Sequence, residues 1–343
     1  MLLADQGANV FLVEPEEGSV LRGTEEFAVW NRGKSSVISD YSSHSIKDLV
    51  HGAQVVIESL DPGEGKSLGI TYSSLSQISD ATGVIVVSLP AFPKGHIHED
   101  IPAREGLVAS SAGVYSLNPS GEQALPGEGP SFHALYYAST FAAITAAPAV
   151  TAALLFKHRT GRGQQITVPV HDSMYQGMGT SLVRHSRRNN GIQAGHPVIK
   201  RFYKCGDGRW INTNRAIPHF LKSFLAAINR PDWLDPLTNF ASKHCDGEKV
   251  EEWKQKFSDV WRERSAEEWE SLMSEIGVPG TVCRSVKEWM DEPHAKESGA
   301  VIELKDPVFG TMKQPGILVR TLGTPSEVTN PAPLLGEQIS HNE

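Results

Sequence analysis

At 343 residues, 39% hydrophobic and 21% charged, the chain has room for one large domain with an inserted lobe, or for two ordinary domains, and its composition excludes a disordered or fibrous protein. A formal charge of −8 with no long Lys/Arg run argues against a nucleic-acid partner. The densest basic stretch, Arg184 to Arg188, lies among Gly and Asn and reads as a solvated loop.

In chain order, the first residues read as a helix end, then Gly7, then a short apolar strand over Asn9 to Glu14 closed by Pro15. Ser36 to Ile38, Gln54 to Leu60 and Gly83 to Leu89 repeat the strand pattern, with helical or loop segments between them. That alternation predicts a mostly parallel α/β sheet. Tyr136 to His158, rich in Ala and Leu, predicts a long buried helix ending at Thr160-Gly161-Arg162-Gly163. A strand over Gln164 to Val170 and a helix over His171 to Arg187 follow, and Asn189 to Pro197 reads as the exit from a first domain.

Phe202 to Asn212, turning at Cys205-Gly206-Asp207-Gly208, predicts a hairpin that opens a second lobe. Helices are expected over His219 to Asn229, Lys249 to Arg264 and Ala266 to Ile276, the last with Ser265 as N-cap and Glu268 completing a capping box. Trp253, Trp261, Trp269 and Trp289 fall in this lobe and are expected in its core. From Val301 the pattern returns to strands and Pro-rich loops.

Chemistry-bearing motifs are individually weak. Pro62-Gly63-Glu64-Gly65-Lys66-Ser67 ends like a phosphate-binding loop, but Leu60 stands where the first glycine is required, so it reads as a turn and helix start whose N–H groups can still meet a phosphate. Asn31-Arg32-Gly33-Lys34 is a polar turn with two cations suited to phosphate. There is no GxSxG elbow and no HExxH, and His133, His171, His196 and His219 read as structural or exposed, so no metal site is expected. Cys205, Cys245 and Cys283 lie apart without CxxC spacing, which fits a reducing, cytoplasmic setting. The start lacks a basic leader, and Phe141 to Phe156 reads as too short for a membrane span, interrupted by Thr145 and Pro148.

Taken in order, these pieces resemble one family. Leu3-Ala4-Asp5-Gln6-Gly7-Ala8-Asn9-Val10, Val13-Glu14-Pro15, Asn31-Arg32-Gly33-Lys34-Ser35-Ser36-Val37 and Val55-Val56-Ile57-Glu58 are similar to the opening of the family III (CaiB/BaiF) CoA-transferases. Arg159-Thr160-Gly161-Arg162-Gly163-Gln164, Asp207-Gly208-Arg209-Trp210, Gly277-Val278-Pro279 and Pro331-Ala332-Pro333-Leu334-Leu335-Gly336 complete the series. The resemblance implies a Rossmann-like large domain built from both chain ends (1–198 and 306–343) and a smaller inserted α+β domain (199–305). It also implies an interlocked dimer, either a homodimer or a heterodimer with a related subunit, and further residues before Leu2.

The implied substrates are an acyl-CoA and a carboxylic acid, with no permanently bound cofactor. CoA contacts are implied for Arg22, Asn31, Arg32 and Lys34, for Ser59 and Leu60 after the strand ending at Glu58, and for Lys66 at the pyrophosphate. In transferring members an aspartate attacks the donor thioester, and the anhydride and aspartyl-CoA thioester that follow stay reactive enough to be passed on. That aspartate falls about twenty-one residues before the Thr of the TGRGQ motif, a count that reaches Ser139. Ser139 thus occupies the catalytic position without being a carboxylate. The family's Gly-Tyr-Asp segment appears as Arg104-Glu105-Gly106, which, with Ser139, argues against the racemase branch. Three readings follow: transfer through other residues, a noncatalytic companion to a subunit that has the aspartate, and a CoA-dependent lyase or isomerase.

Overall fold

The computed structural model describes residues 1–78, 83–102, 104–116, 130, 132, 135–179, 198–214, 217–240, 247–317, 319–328 and 330–338. Its contacts divide the chain into one unit of Met1–Ser186 with Pro293–Glu343 and a second of Arg187–Glu292. Arg184 to Arg188, Asn189 to Pro197, Cys245, His133 and His196 lie outside the described residues.

In the first unit, β1 (Phe11–Glu14) and β2 (Ser35–Ile38) pair in parallel, Phe11 opposite Ser35 and Glu14 opposite Ile38. Between them, Thr24 caps the Glu25–Trp30 helix by accepting the Phe27 N–H at 3.2 Å. β3 (Val55–Glu58), β4 (Ile85–Ser88) and β5 (Gln165–Thr167) form a parallel sheet with β4 central. The β4 run is apolar throughout because both faces are covered. Val84 and Val86 face a cluster with Ile46, Val50 and Leu75, while Ile85 and Val87 face Ala146, Val150, Ala153 and Val168. Burying each such side chain contributes roughly 1.5–3 kcal/mol.

The predicted long helix is present as Tyr137–Thr160, ended by Gly161 at φ 72° with its N–H on the Lys157 carbonyl. Its burial differs from expectation. Ala138, Ala142, Ala146, Val150 and Ala153 form one buried stripe, whereas Ile144, Leu155 and Phe156 are exposed, because the sequence is apolar on every side and only one side meets the sheet. Thr145 and Pro148 do not interrupt it, so the apolar stretch is longer than expected: this helix of 24 residues is long and apolar enough to cross a membrane by length and composition.

Leaving the helix, the chain enters β5 through Gly163, where a Cβ would stand 2.0 Å from the Val84 carbonyl oxygen. The Val170–Met178 helix follows β5 and packs back on the long helix, with Gly177 against the Phe141 ring. β9 (Val301–Asp306) and β10 (Gly310–Pro315) form an antiparallel hairpin whose turn is held by Asp306, which accepts the Val308 and Phe309 N–H groups at 2.8 and 3.0 Å.

In the second unit β6 (Lys200–Lys204), β7 (Trp210–Asn214) and β8 (Gly280–Val282) form an antiparallel sheet, the first two being the expected hairpin. It shares one core with helices Pro218–Ala227, Gly247–Trp261 and Ala266–Glu275. Trp261 and Trp269 are fully buried, their ring centroids 4.8 Å apart, and Trp269 Nε1–H donates to the Trp261 carbonyl at 2.9 Å. Trp289, expected in the core, is 45% exposed, since its short helix Val286–Asp291 lies outside that cluster. The Ser265–Glu268 capping box is formed as read.

Two outcomes are expected. Gly163→Ala forces Val84 out of place and costs ~2–3 kcal/mol in a urea unfolding series. In the second unit, Arg284 donates to Glu270 at 2.7 and 3.0 Å, with Thr281 and the Val282 N–H adding to it, and the Glu270 carboxyl is held down at about 2. A carboxylate depressed on folding stabilises above its unfolded value and loses that contribution as pH falls. Arg284→Met therefore costs about 1–2 kcal/mol at pH 7, after allowance for solvent screening. The gap to wild type closes as pH drops from the unfolded carboxylate value, roughly 4.3, to about 2, measured by denaturation across pH.

Candidate active site

In a parallel sheet the loops leaving the carboxyl ends of the strands converge on one edge, which is where such folds bind ligands. Here β3 ends on Glu58 and β4 on Ser88, side by side in the register, and the Ser88 hydroxyl donates to Glu58 Oε1. Glu58 Oε2 accepts the Leu60 N–H at 2.9 Å, folding the loop that carries Ser59 and Leu60. Gly63, at φ 83°, then opens the short Glu64–Ser67 helix, on which Lys66 is exposed.

The loop after β4 and the helix after β5 bring together a ring cluster that the sequence did not reveal. His96 stacks on buried Phe92 at 4.8 Å, and His98 and His171 lie within 5.5 Å of that ring. His171 is itself buried, its Nδ1 2.9 Å from Asp172 and its Nε2 3.3 Å from the Tyr175 hydroxyl. Among the described residues no group of three or more His, Cys, Asp or Glu side chains could hold a metal.

Beside this cluster the long helix begins. The Glu105–Ser111 helix packs Val108 and Ala109 into the same apolar group as Phe92, Ala138 and Met174. That packing brings the Glu105 carboxylate onto the first turn of Tyr137–Thr160. Oε1 accepts the Ala138 N–H at 2.8 Å; Oε2 accepts the Ser139 N–H at 2.9 Å and the Ser139 hydroxyl at 2.6 Å. Tyr136, the N-cap, contributes no side-chain bond, so a carboxylate from 34 residues upstream of Ser139 does the capping, where the helix dipole favours negative charge. Ser139 is exposed and Glu105 half-buried. Burial pushes the nearby Tyr115 phenol up, and the Glu105 charge adds to this. A side chain on Gly106 would meet the Tyr115 hydroxyl and the Phe132 ring, while Trp30 packs edge-on against Tyr136 at 5.9 Å.

The residues expected to contact CoA fall in separate places. Ser59, Leu60 and Lys66 sit on the loop and helix after β3. Arg22, Asn31, Arg32 and Lys34 cluster around β1 and β2, where partners within the protein meet most of their charge. Arg32 has no exposed surface: it grips Asp5 with Nε and Nη2 at 3.1 and 2.7 Å and donates to the Pro315 and Gly316 carbonyls. It is a tie between the two chain ends.

Arg22 pairs with buried Glu14 at 2.9 and 2.5 Å, donates to the Pro333 carbonyl at 3.0 Å and lies over the Phe27 ring. Burial works to raise the Glu14 carboxyl, but hydrogen bonds from Arg22, Ser36 and the Ser19 N–H hold it below its ordinary value. Lys34 donates to Asn31 Oδ1 at 2.8 Å, and burial pushes its pKa down. Glu105, by contrast, figured in the sequence only as a departure from Gly-Tyr-Asp. No local pattern joins it to Ser139.

The parallel strand pairs and the helices between them make this a mixed α/β protein. A family model described as CoA-transferase family III matches residues 1–339, and the chain belongs to that family. It is similar, at 27% identity, to the CoA-transferase/lyase DddD of Marinomonas sp., over 93% of this chain and 44% of that protein, so it spans less than half of that relative's length. At 24% identity it is similar to the succinyl-CoA–D-citramalate CoA-transferase of Chloroflexus aurantiacus, over 98% of this chain and 86% of that one. In fold it matches the crystal structure of Rv3272 from M. tuberculosis with a TM-score of 0.81 at 23% identity, covering 98% of this chain and 91% of the other.

Arg32→Met, by leaving Asp5 buried without its partner, is expected to cost about 3–5 kcal/mol in chemical denaturation. Lys66→Ala, at an exposed site, is expected to change stability by less than about 0.5 kcal/mol in the same assay.

Proposed function

We propose that this chain binds an acyl-CoA thioester and moves CoA between carboxylic acids, without a permanently bound cofactor. The reading is carried by the family match over residues 1–339 together with one piece of geometry: a half-buried carboxylate and an exposed hydroxyl at the start of the long helix, the position to which the resemblance assigns the reactive acid. The relatives' names support this chemistry, since they specify CoA-transferases that differ in acyl group. Lys66, exposed on the helix after β3, is the cation best suited to the CoA pyrophosphate, with Ser59 and Leu60 beside it.

In this reading the large domain (1–198 and 306–343) is Rossmann-like and carries the thioester, the small domain (199–305) is an insertion in it, and two subunits interlock in the cytoplasm. The exposed apolar face of the long helix, with Ile144, Leu155 and Phe156, favours a partner subunit. A second reading is a companion subunit to a related chain that has the aspartate. Ser139 motivates it, and so does a relative more than twice as long as the matched segment. The lyase reading draws on the name of that same relative.

The test is transfer of CoA from a panel of acyl-CoAs to isotopically labelled carboxylic acids. Labelled acyl-CoA is expected from the isolated protein, and Lys66→Ala is expected to raise KM for the thioester about tenfold with kcat retained, as loss of one charge-assisted contact. No labelled product across the panel overturns the transferase reading. Full activity in a stable homodimer overturns the companion reading, and the absence of eliminated or rearranged acyl groups overturns the lyase reading.

A further inference from the structure

We infer that Glu105 is the side chain that carries the acyl group and then CoA, and that Ser139 positions it. This rests on the transferase reading above and names the residue that performs it. An aspartate at position 139 would hold its carboxyl on the same Cβ that now bears the Ser139 hydroxyl. In this chain a carboxylate oxygen lies 2.6 Å from that hydroxyl, one hydrogen bond further out, supplied by another helix. The residue types have changed places: the helix start offers a hydroxyl, and the Arg104-Glu105-Gly106 segment offers the acid.

The surroundings suit a nucleophile better than a simple cap. Glu105 and Ser139 both reach solvent, so a thioester can approach. An ionised carboxylate has about four lone-pair positions, and the three hydrogen bonds use two on Oε2 and one on Oε1, which leaves Oε1 able to attack. Two backbone N–H groups and one hydroxyl fix the orientation of the carboxylate, so little reorganisation precedes attack. Behind it stand Val108, Ala109, Ala138 and Phe92, a packed apolar wall that holds the two helices in register.

The steps balance without oxidant, metal or net proton transfer. Glu105 Oε1 bonds to the thioester carbonyl carbon; the C–S bond breaks and CoA leaves as its thiolate, giving a mixed anhydride. The thiolate then attacks the Glu105 side-chain carbonyl carbon, the anhydride C–O bond breaks, and the donor acid departs as a carboxylate, leaving a glutamyl-CoA thioester. An acceptor carboxylate attacks that carbon and expels the thiolate. The thiolate attacks the acceptor's carbonyl, and Glu105 returns as a carboxylate.

The experiment exposes the full-length protein to acyl-CoA, traps acylated side chains with hydroxylamine or borohydride, and maps them by peptide mass spectrometry beside the labelled-acid exchange assay. The adduct is expected on the peptide carrying Glu105. Glu105→Gln, whose single amide oxygen can keep one of the two backbone N–H bonds, is expected to lower exchange on the order of 10³-fold while the thermal melt remains a single cooperative transition. Ser139→Ala is expected to lower kcat roughly tenfold with KM unchanged, as loss of one hydrogen bond to a charged group; a merely structural role would not split the two constants. In the double variant Glu105→Gln with Ser139→Asp, exchange returns and the adduct moves to the peptide carrying position 139.

An adduct on any other residue, or Glu105→Gln exchanging at the wild-type rate, overturns the assignment while leaving the transferase reading intact. A wild-type protein that exchanges nothing overturns both.

Discussion

Where the chain turns from the Tyr137–Thr160 helix into β5, the backbone of Gly163 touches the Val84 carbonyl so closely that no side chain fits between them. That contact ties the foot of the helix to the start of β4, while the buried stripe from Ala138 to Ala153 keeps the rest of the helix against the sheet and its neighbours. A helix that ends beside the beginning of a parallel strand must begin near that strand's carboxyl edge. Its first turn, with Ser139, therefore opens on the side where the loops after β3 and β4 emerge, and the placement of the site follows from the packing.

The same packing explains how a carboxylate can be supplied from elsewhere. A helix start presents unsatisfied N–H groups and a partial positive charge, so it accepts an acid from any neighbour that reaches it. Because the Glu105–Ser111 helix shares an apolar cluster with Ala138, its first residue is that neighbour. Charge and hydrogen bonding at the helix start can thus be preserved while the acid moves to a different segment. A motif that spells out one position does not capture this.

Burial also divides the cations into two groups. Arg32 and Arg22 sit in a polar turn and a loop, settings that read as exposed, yet Asp5 and Glu14 draw both inward to join β1, β2 and the C-terminal segment. A buried guanidinium with a two-point carboxylate partner is costly to disturb. Lys66, on a short exposed helix after a glycine turn, keeps its charge at the surface.

Features set by neighbours along the chain were legible without coordinates. The apolar runs of β1 to β4, the Gly161 stop, the Ser265–Glu268 capping box and the hairpin of β6 and β7 depend on residues within one turn or one strand of each other, and the ordered motifs over residues 1–339 were enough to identify the family. Other features were decided only by the tertiary fold: which side of the long helix is covered, that Arg32 faces Asp5, that three histidines gather on Phe92, and that Glu105 meets Ser139. Each depends on segments distant in sequence packing side by side, and side-chain periodicity carries no record of which partner a surface will meet.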